Sequence, residues 1–280
     1  MSRSSRRATR GYFHRHSLIV RITHWVNVLC MAVLLFSGLQ IFNAHPALYW
    51  GEISTFDDPL ISMRAVRPPE GTPIGVTEIF DRQFETTGFL GLSEVSEGRW
   101  LQRGFPAWLT LPSYQDLATG RRWHFFFAWI FVINGLVYIS YSLTSGHWRQ
   151  LVPTAAQLRH IGGSIRDHLL FRFPKGEEAK SYNVLQKLAY LGVVAILVPV
   201  LILAGLTMSP AMDAAFPWLL DLFGGRQSAR TMHFVAAALI LAFVVVHVAM
   251  VVLSGPWNNM RSMITGKYRV KNLEGSHAAE

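Results

Sequence analysis

A single cysteine in 280 residues, Cys30, leaves no partner for a disulfide, no thiolate cluster for zinc or an iron–sulfur centre, and no Cys-x-x-Cys-His motif for covalent haem attachment. Charge is scarce too: Asp, Glu, Lys and Arg make up 15% of the chain, against roughly 25% in an ordinary soluble protein. The scarcity excludes an ordinary soluble domain. A formal net charge of +9 invites a nucleic-acid reading, but the basic residues flank apolar runs and do not gather on one face, so no nucleic-acid partner is expected. What is abundant is apolar: 51% of residues are hydrophobic and 12% aromatic, with 9 Trp suited to the boundary between hydrocarbon and water.

Four runs are long and apolar enough to cross about 30 Å of hydrocarbon as helices: residues 18–42, 123–143, 188–208 and 229–253. The expected fold is an all-α integral membrane protein, a bundle of four transmembrane helices with a long periplasmic loop, residues 44–120, between the first two. The first run is too long, and too short of a small-residue cleavage site, for a signal peptide, so it is read as a retained span. Pro199 and Gly205 fall inside the third run, where membrane neighbours can accommodate a kink. Lys and Arg set the orientation. Arg3, Arg6, Arg7, Arg10 and Arg15 precede span one; Arg149, Arg159, Arg166, Arg172, Lys175 and Lys180 lie between spans two and three; Arg261, Lys267, Arg269 and Lys271 follow span four. The connection from Ser209 to Ser228 has only Arg226. Both termini are therefore expected on the cytoplasmic side. The 44–120 segment, acidic through Glu52, Asp57, Asp58, Glu70, Glu78, Asp81 and Glu85, is expected outside and is large enough to dock a partner. Its stretches 67–75 and 105–111 read as irregular structure with short helical turns.

Histidines carry the chemistry. Spans one, two and four hold His24, His124, His233 and His247 near their ends, and span three holds none. His233 and His247 are fourteen residues apart, about 21 Å of rise and nearly four whole turns, so they share one helix face at two depths. With the orientation above, His24 falls level with His247 near the inner surface and His124 level with His233 near the outer one. Each pair offers two neutral imidazole nitrogens at one depth, which suits an iron porphyrin ligated from both sides. A hydrogen-bonded packing role is the plain alternative for any one histidine, and a proton relay for the set.

Arg21, Arg121 and Arg230 each precede one of these histidines by three residues, on roughly the same face and toward the surface, where haem propionates would point. Arg122 joins them. Snorkelling to the interface explains Arg21 equally well, but is less natural for arginines on the outer side. Gly38 and Gly135 would let a flat macrocycle approach the backbone, or serve helix packing. His14, His16, His147, His160, His168 and His277 are expected to be solvated, and neither they nor His45 are assigned as ligands. The aromatic run 123–129 reads as lipid-facing and cofactor-packing bulk.

At these residues the chain resembles the bacterial cytochrome b561 / nickel-hydrogenase b-type cytochrome family, which includes membrane subunits of hydrogenases and formate dehydrogenases. The resembling segments are Arg21-Ile-Thr-His24-Trp25, Gly120-Arg-Arg-Trp-His124, Ala229-Arg-Thr-Met-His233 with His247, and Trp257-Asn-Asn-Met-Arg261-Ser-Met-Ile-Thr-Gly266. The resemblance implies a four-helix core holding two haem b groups by bis-histidine ligation of iron, with the ligand pattern on the same four histidines. It further implies a respiratory-chain role, passing electrons between a periplasmic redox subunit and quinone in the membrane. The loop 44–120 departs from the short first loop of hydrogenase and formate dehydrogenase subunits, and is more like relatives paired with a molybdopterin oxidoreductase of the sulfite-oxidase type.

The reading is an electron-transfer subunit of a quinone-linked oxidoreductase complex, with lipid, quinone and a periplasmic redox protein as partners; an oligomer is compatible with it. Asn27, Ser37 and Gln40 are quinone candidates near the inner haem by polarity alone, with helix packing as the alternative. Two other classes stay open. One is a haem-free transporter or proton conductor with a histidine relay, which would favour intramembrane carboxylates, and none lies in the four spans. The other is a self-contained transmembrane reductase with the loop as its substrate cap.

Overall fold

Residues 10–169 and 183–271 are described by the structure, a computed structural model. In chain order it has strand β1 (Arg10–His14), helix α1 (Leu18–Phe42), strands β2 (Ala47–Leu48), β3 (Ile61–Val66), β4 (Ile74–Ile79), β5 (Arg82–Glu85), β6 (Gly91–Ser96) and β7 (Arg99–Arg103), and helix α2 (Leu117–Thr144). Short helices α3 (Trp148–Leu151), α4 (Ala155–Arg159) and α5 (Ile161–Leu169) follow, then α6 (Val184–Thr207), α7 (Pro210–Ala215), α8 (Trp218–Phe223), α9 (Arg226–Leu253), α10 (Pro256–Thr265) and β8 (Lys267–Lys271). Arg3, Arg6, Arg7, Arg172, Lys175, Lys180 and His277 lie outside the described residues.

Among the described residues, α1, α2, α6 and α9 are the helices long and apolar enough to span a bilayer, at 25, 28, 24 and 28 residues. Their apolar side chains stay exposed, Val245 and Val246 at 61% each, which lipid tolerates and water does not. The chain is a mostly helical multi-pass membrane protein, all-α in its spans. Inside α6 one turn of π-helix, Val193–Leu197, precedes Pro199. Proline has no N–H and its ring crowds the carbonyl four residues back, so the wider turn absorbs the misfit expected there.

Contacts divide the chain into two compact units. The first comprises residues 26–134 and 197–239. Its loop holds an antiparallel sheet in the order β2-β3-β4-β5 and a β6-β7 hairpin. The sequence reading foresees no strands in this segment; of the two stretches it reads as irregular with short helical turns, 67–75 is a connection whose last two residues open β4, and 105–111 contains a single 3-10 turn at 107–109. The sequence hides the β4-β5 hairpin because its two-residue turn is Phe80–Asp81, at φ 46° and 63°, and not the Asn-Gly or Asp-Gly that announces such turns. Gly91, at φ 77°, is required where β6 crosses β3: a Cβ there would lie 2.7 Å from the Arg64 carbonyl oxygen. Phe42, Leu48 and Met63 form the core between the end of α1 and this sheet, with Phe105 and Phe234 packed on it. Arg103, 1% exposed, ties the connection to α2 by donating to the carbonyls of Phe105 and Ser113 at 2.8 and 3.1 Å and to the Thr110 hydroxyl at 2.9 Å.

The second unit comprises residues 1–25, 135–196 and 240–280, as far as they are described. Its antiparallel ribbon pairs β1 with β8, His14 opposite Lys267. The last carbonyls of α10 are taken up by α1: Arg21 donates to Ile264 and the Trp25 indole to Met263. Lys187 is buried at the start of α6 and donates to the Val152 carbonyl and the Gln157 side chain.

Candidate haem-binding sites

The four histidines of the spans meet in two pairs, one in each unit. In the first unit the rings of His124 (α2) and His233 (α9) have centroids 6.2 Å apart at an interplanar angle of 64°. In the second unit His24 (α1) and His247 (α9) are 6.5 Å apart at 54°. Two imidazoles on opposite sides of one metal, with nitrogen–metal bonds of about 2 Å and centroids about 1 Å behind the nitrogens, stand roughly 6 Å apart. Both pairs have that spacing. No group of three or more His, Cys, Asp and Glu suited to a metal ion occurs among the described residues; two imidazoles alone are the axial set that an iron porphyrin takes.

Ring orientation supports the same fit. His233 Nδ1 lies 2.8 Å from the Leu201 carbonyl oxygen, an acceptor only, so the proton sits on Nδ1 and the Nε2 lone pair is left free. His124 Nδ1 lies 3.1 Å from the Ser37 hydroxyl, which itself donates to the Val33 carbonyl and therefore accepts from the ring. Small residues make room for these rings. A Cβ at Gly38 would be 3.3 Å from His124 Cε1, and one at Gly205 only 3.1 Å from His233 Cε1. Gly205, noted in the sequence only for helix bending, backs a histidine; Gly135 has nothing within 4 Å of its Cβ position. In the other pair, His247 stacks on Phe243 at 5.9 Å, and His24 Nδ1 is buried without a hydrogen-bond partner. The residues present fit a b-type haem in each pair.

The arginines have protein partners of their own. Arg230 donates to the His45 carbonyl and lies over the Phe42 ring, and Arg121 lies over Phe125. Arg122 donates to the Thr119 hydroxyl at 3.0 Å, and Arg21 keeps a buried Nε with no partner. Of the quinone candidates, Ser37 and Gln40 are misplaced by the sequence reading. Ser37 is thirteen residues beyond His24 on α1, about 20 Å along the helix, and contacts His124; Gln40 donates to the Tyr114 carbonyl. Asn27 accepts from Asn134 at 2.7 Å.

Two further groups went unread. His45 Nε2 pairs with the Tyr49 hydroxyl at 3.1 Å, their rings stacked 5.6 Å apart, beside Arg230. Burial and the Arg230 charge lower the His45 pKa, while burial raises that of Tyr49 against the pull of Arg230. His16, expected to be solvated, is half-buried with an unpartnered Nδ1 and is held down to about 4 by burial and by repulsion from Arg15, His147, His24 and His14. Only the i, i+4 spacing of His45 and Tyr49 could have signalled the first; nothing local signals the second.

Apolar spanning helices that bring imidazoles together in pairs define a membrane cytochrome. The sequence pattern of prokaryotic cytochrome b561 matches residues 15–266, and the chain belongs to that family of b-haem membrane electron-transfer proteins. It is 28% identical over 239 residues, 85% of this chain and 90% of the other, to a proposed protein-methionine-sulfoxide reductase subunit, YedZ1, of Azospira oryzae. No solved structure matches the chain significantly.

Proposed function

We propose that the chain is a di-haem subunit of the bacterial inner membrane, with both termini cytoplasmic, carrying electrons between quinone and a periplasmic redox partner. His124 and His233 would hold the outer haem b and His24 and His247 the inner one. When bound, the haem iron supplies reversible one-electron chemistry, and the protein sets its ligation, spacing and surroundings. Leu201 and Ser37 hold two of the ligand rings in the tautomer that leaves Nε2 available, and tighten their donation. Arg21, Arg121, Arg122 and Arg230, each within three residues of a proposed ligand on its helix, would supply countercharge to the propionates, Arg230 in exchange for its His45 contact. Gly38, Gly205 and Gly135 keep bulk away from the rings and helix faces. The kinship with a reductase subunit supports a soluble oxidoreductase as partner, for which the acidic loop 44–120 offers surface; a molybdopterin oxidoreductase suits it.

The observation that carries this reading is the 6.2 and 6.5 Å spacing of two separate imidazole pairs. The experiment is haem per chain on detergent-purified protein by pyridine haemochrome, with a reduced-minus-oxidised spectrum. Near two haem b per chain with a sharp low-spin band is expected, falling to about one in His233→Ala and in His247→Ala. Full haem content in both variants would overturn the ligand assignment.

A further inference from the structure

The segment that follows β2, residues 50–58, exposes more apolar surface than a water-facing loop requires. Trp50, Ile53 and Phe56 are 60%, 73% and 73% exposed. Between and beyond them Glu52, Asp57 and Asp58 are exposed, and the segment contains no basic residue. The whole loop 44–120 leans the same way, with ten acidic and five basic residues in a chain whose net charge is +9. An apolar centre rimmed by charge of one sign is the anatomy of a docking patch: the centre supplies desolvation, and the rim steers a partner of opposite charge.

The patch is pinned at both ends by hydrogen bonds and tied to the start of the helix that carries His233. Gly51 accepts from the backbone N–H groups of Gln227 and Ser228 at 3.0 and 3.1 Å, and its own N–H donates to the Ser228 hydroxyl at 2.7 Å. It thereby caps the start of α9 five residues before His233. At the other end a turn closes with Asp58 N–H donating to the Thr55 carbonyl at 2.9 Å, and Leu60 pairs back to Leu48 at 2.8 Å. Phe56 rests its inner edge on the His45–Tyr49 pair, at 5.8 and 6.1 Å between centroids, with its other side open. Such a surface loses little entropy when a partner covers it.

We infer that Trp50, Ile53 and Phe56, rimmed by Glu52, Asp57 and Asp58, form the docking face for a soluble redox protein that presents a basic-rimmed apolar patch around its own cofactor. The inference rests on the electron-transfer reading and names the partner's chemistry and landing place. Opposite charge gathers the partner, and the capped start of α9 brings it close to the His233 site.

The test uses the full, haem-loaded chain in nanodiscs, with a lysine-rich soluble ferric cytochrome c as probe. The chain is reduced first, and the transfer of one electron to the probe is followed by stopped flow. The wild-type second-order rate should fall about tenfold between roughly 0.01 M and 0.15 M salt. Asp57→Lys with Asp58→Lys should lower the low-salt rate about tenfold and flatten the salt dependence, and Phe56→Ser should slow transfer several-fold at every salt concentration. Reduction by a quinol and oxidation by a small neutral oxidant should stay unchanged in all variants. Unaltered rate and salt dependence in the charge-reversed chain, with haem content intact, would overturn the docking face alone; absence of haem in the wild type would overturn the electron-transfer reading itself. An environment-sensitive label at Ile53→Cys, native Cys30 being fully buried, should be quenched by aqueous and not by lipid-borne quenchers. Lipid quenching would make the patch a membrane anchor and overturn the proposal.

Discussion

At the scale of the residue, what distinguishes these histidines is which nitrogen is spoken for. A backbone carbonyl holding His233 Nδ1–H at 2.8 Å leaves the other nitrogen to ligate, and the bond raises its basicity. Ser37 does the same for His124, so Ser37→Ala should make that ligand a poorer donor and raise the midpoint potential of the haem there. A neutral hydrogen bond of about 0.5–1 kcal/mol corresponds to roughly 20–40 mV in a one-electron couple, which a redox titration resolves. His16 sets a pH dependence of stability. Its imidazole stays neutral down to about 4 in the fold but protonates near 6.5 when unfolded, so its contribution is complete above pH 6.5 and drains away as pH falls toward 4. After discounting for partial exposure, about 1–2 kcal/mol is at stake. His16→Gln should flatten the loss of thermal stability between pH 7 and pH 5; an identical loss in the variant would refute it.

Elements impose tighter limits than single groups do. Gly205 lies on α6 where a Cβ would be 3.1 Å from His233 Cε1 and 3.2 Å from Nδ1, so even alanine must push the ring. Gly205→Ala should therefore weaken the bond to Leu201 and lower haem occupancy at that pair while leaving the other, visible as haem per chain falling toward one. In the loop, Arg103 gathers the turn at 105–113 from within, while Asn43 pins Phe105 to the end of α1. Arg103→Leu would leave the Ser113 carbonyl without this donor, while the Phe105 carbonyl keeps its bond from Asn43, at a cost of about 1–3 kcal/mol. Rapid protease cleavage within 104–116, partly rescued by Arg103→Lys, is the expected readout. The helices were legible because hydrocarbon length and apolar runs leave no alternative, to within six residues at the start of α2, which begins at Leu117 against an expected 123. The strands were not. Their turn residues Phe80 and Asp81 carry no glycine or asparagine signal, and β7, Arg-Trp-Leu-Gln-Arg, shows little alternation of buried and exposed positions.

For the molecule as a whole, one chain carries two imidazole pairs in different surroundings. His24 Nδ1 is buried without a partner, whereas both rings of the other pair have theirs. With the proposed haem in each pair, unequal ligand basicity should separate the two in potential. Potentiometric titration should resolve two one-electron steps, with His247→Ala removing one and leaving the other at its original midpoint. A single step of doubled amplitude in the wild type would contradict the difference in surroundings.

The sequence alone determined the membrane class, the four spans, the four histidines and their sorting into pairs. Those follow from local quantities: the length of apolar runs, helical rise, and the flanking charge. Only the tertiary structure decided what stands behind each imidazole. Leu201 to His233, Ser37 to His124 and Gly51 to the start of α9 are contacts between residues 32, 87 and more than 170 positions apart, made through a backbone carbonyl or a small side chain. A carbonyl has no residue identity to read, and a serine or glycine in a span serves packing as readily as ligation. The polar residues Ser37 and Gln40 were assigned to the end of α1 near His24 for the same reason: polarity names a need for a partner, and the fold chooses which one, His124 for Ser37 and the Tyr114 carbonyl for Gln40.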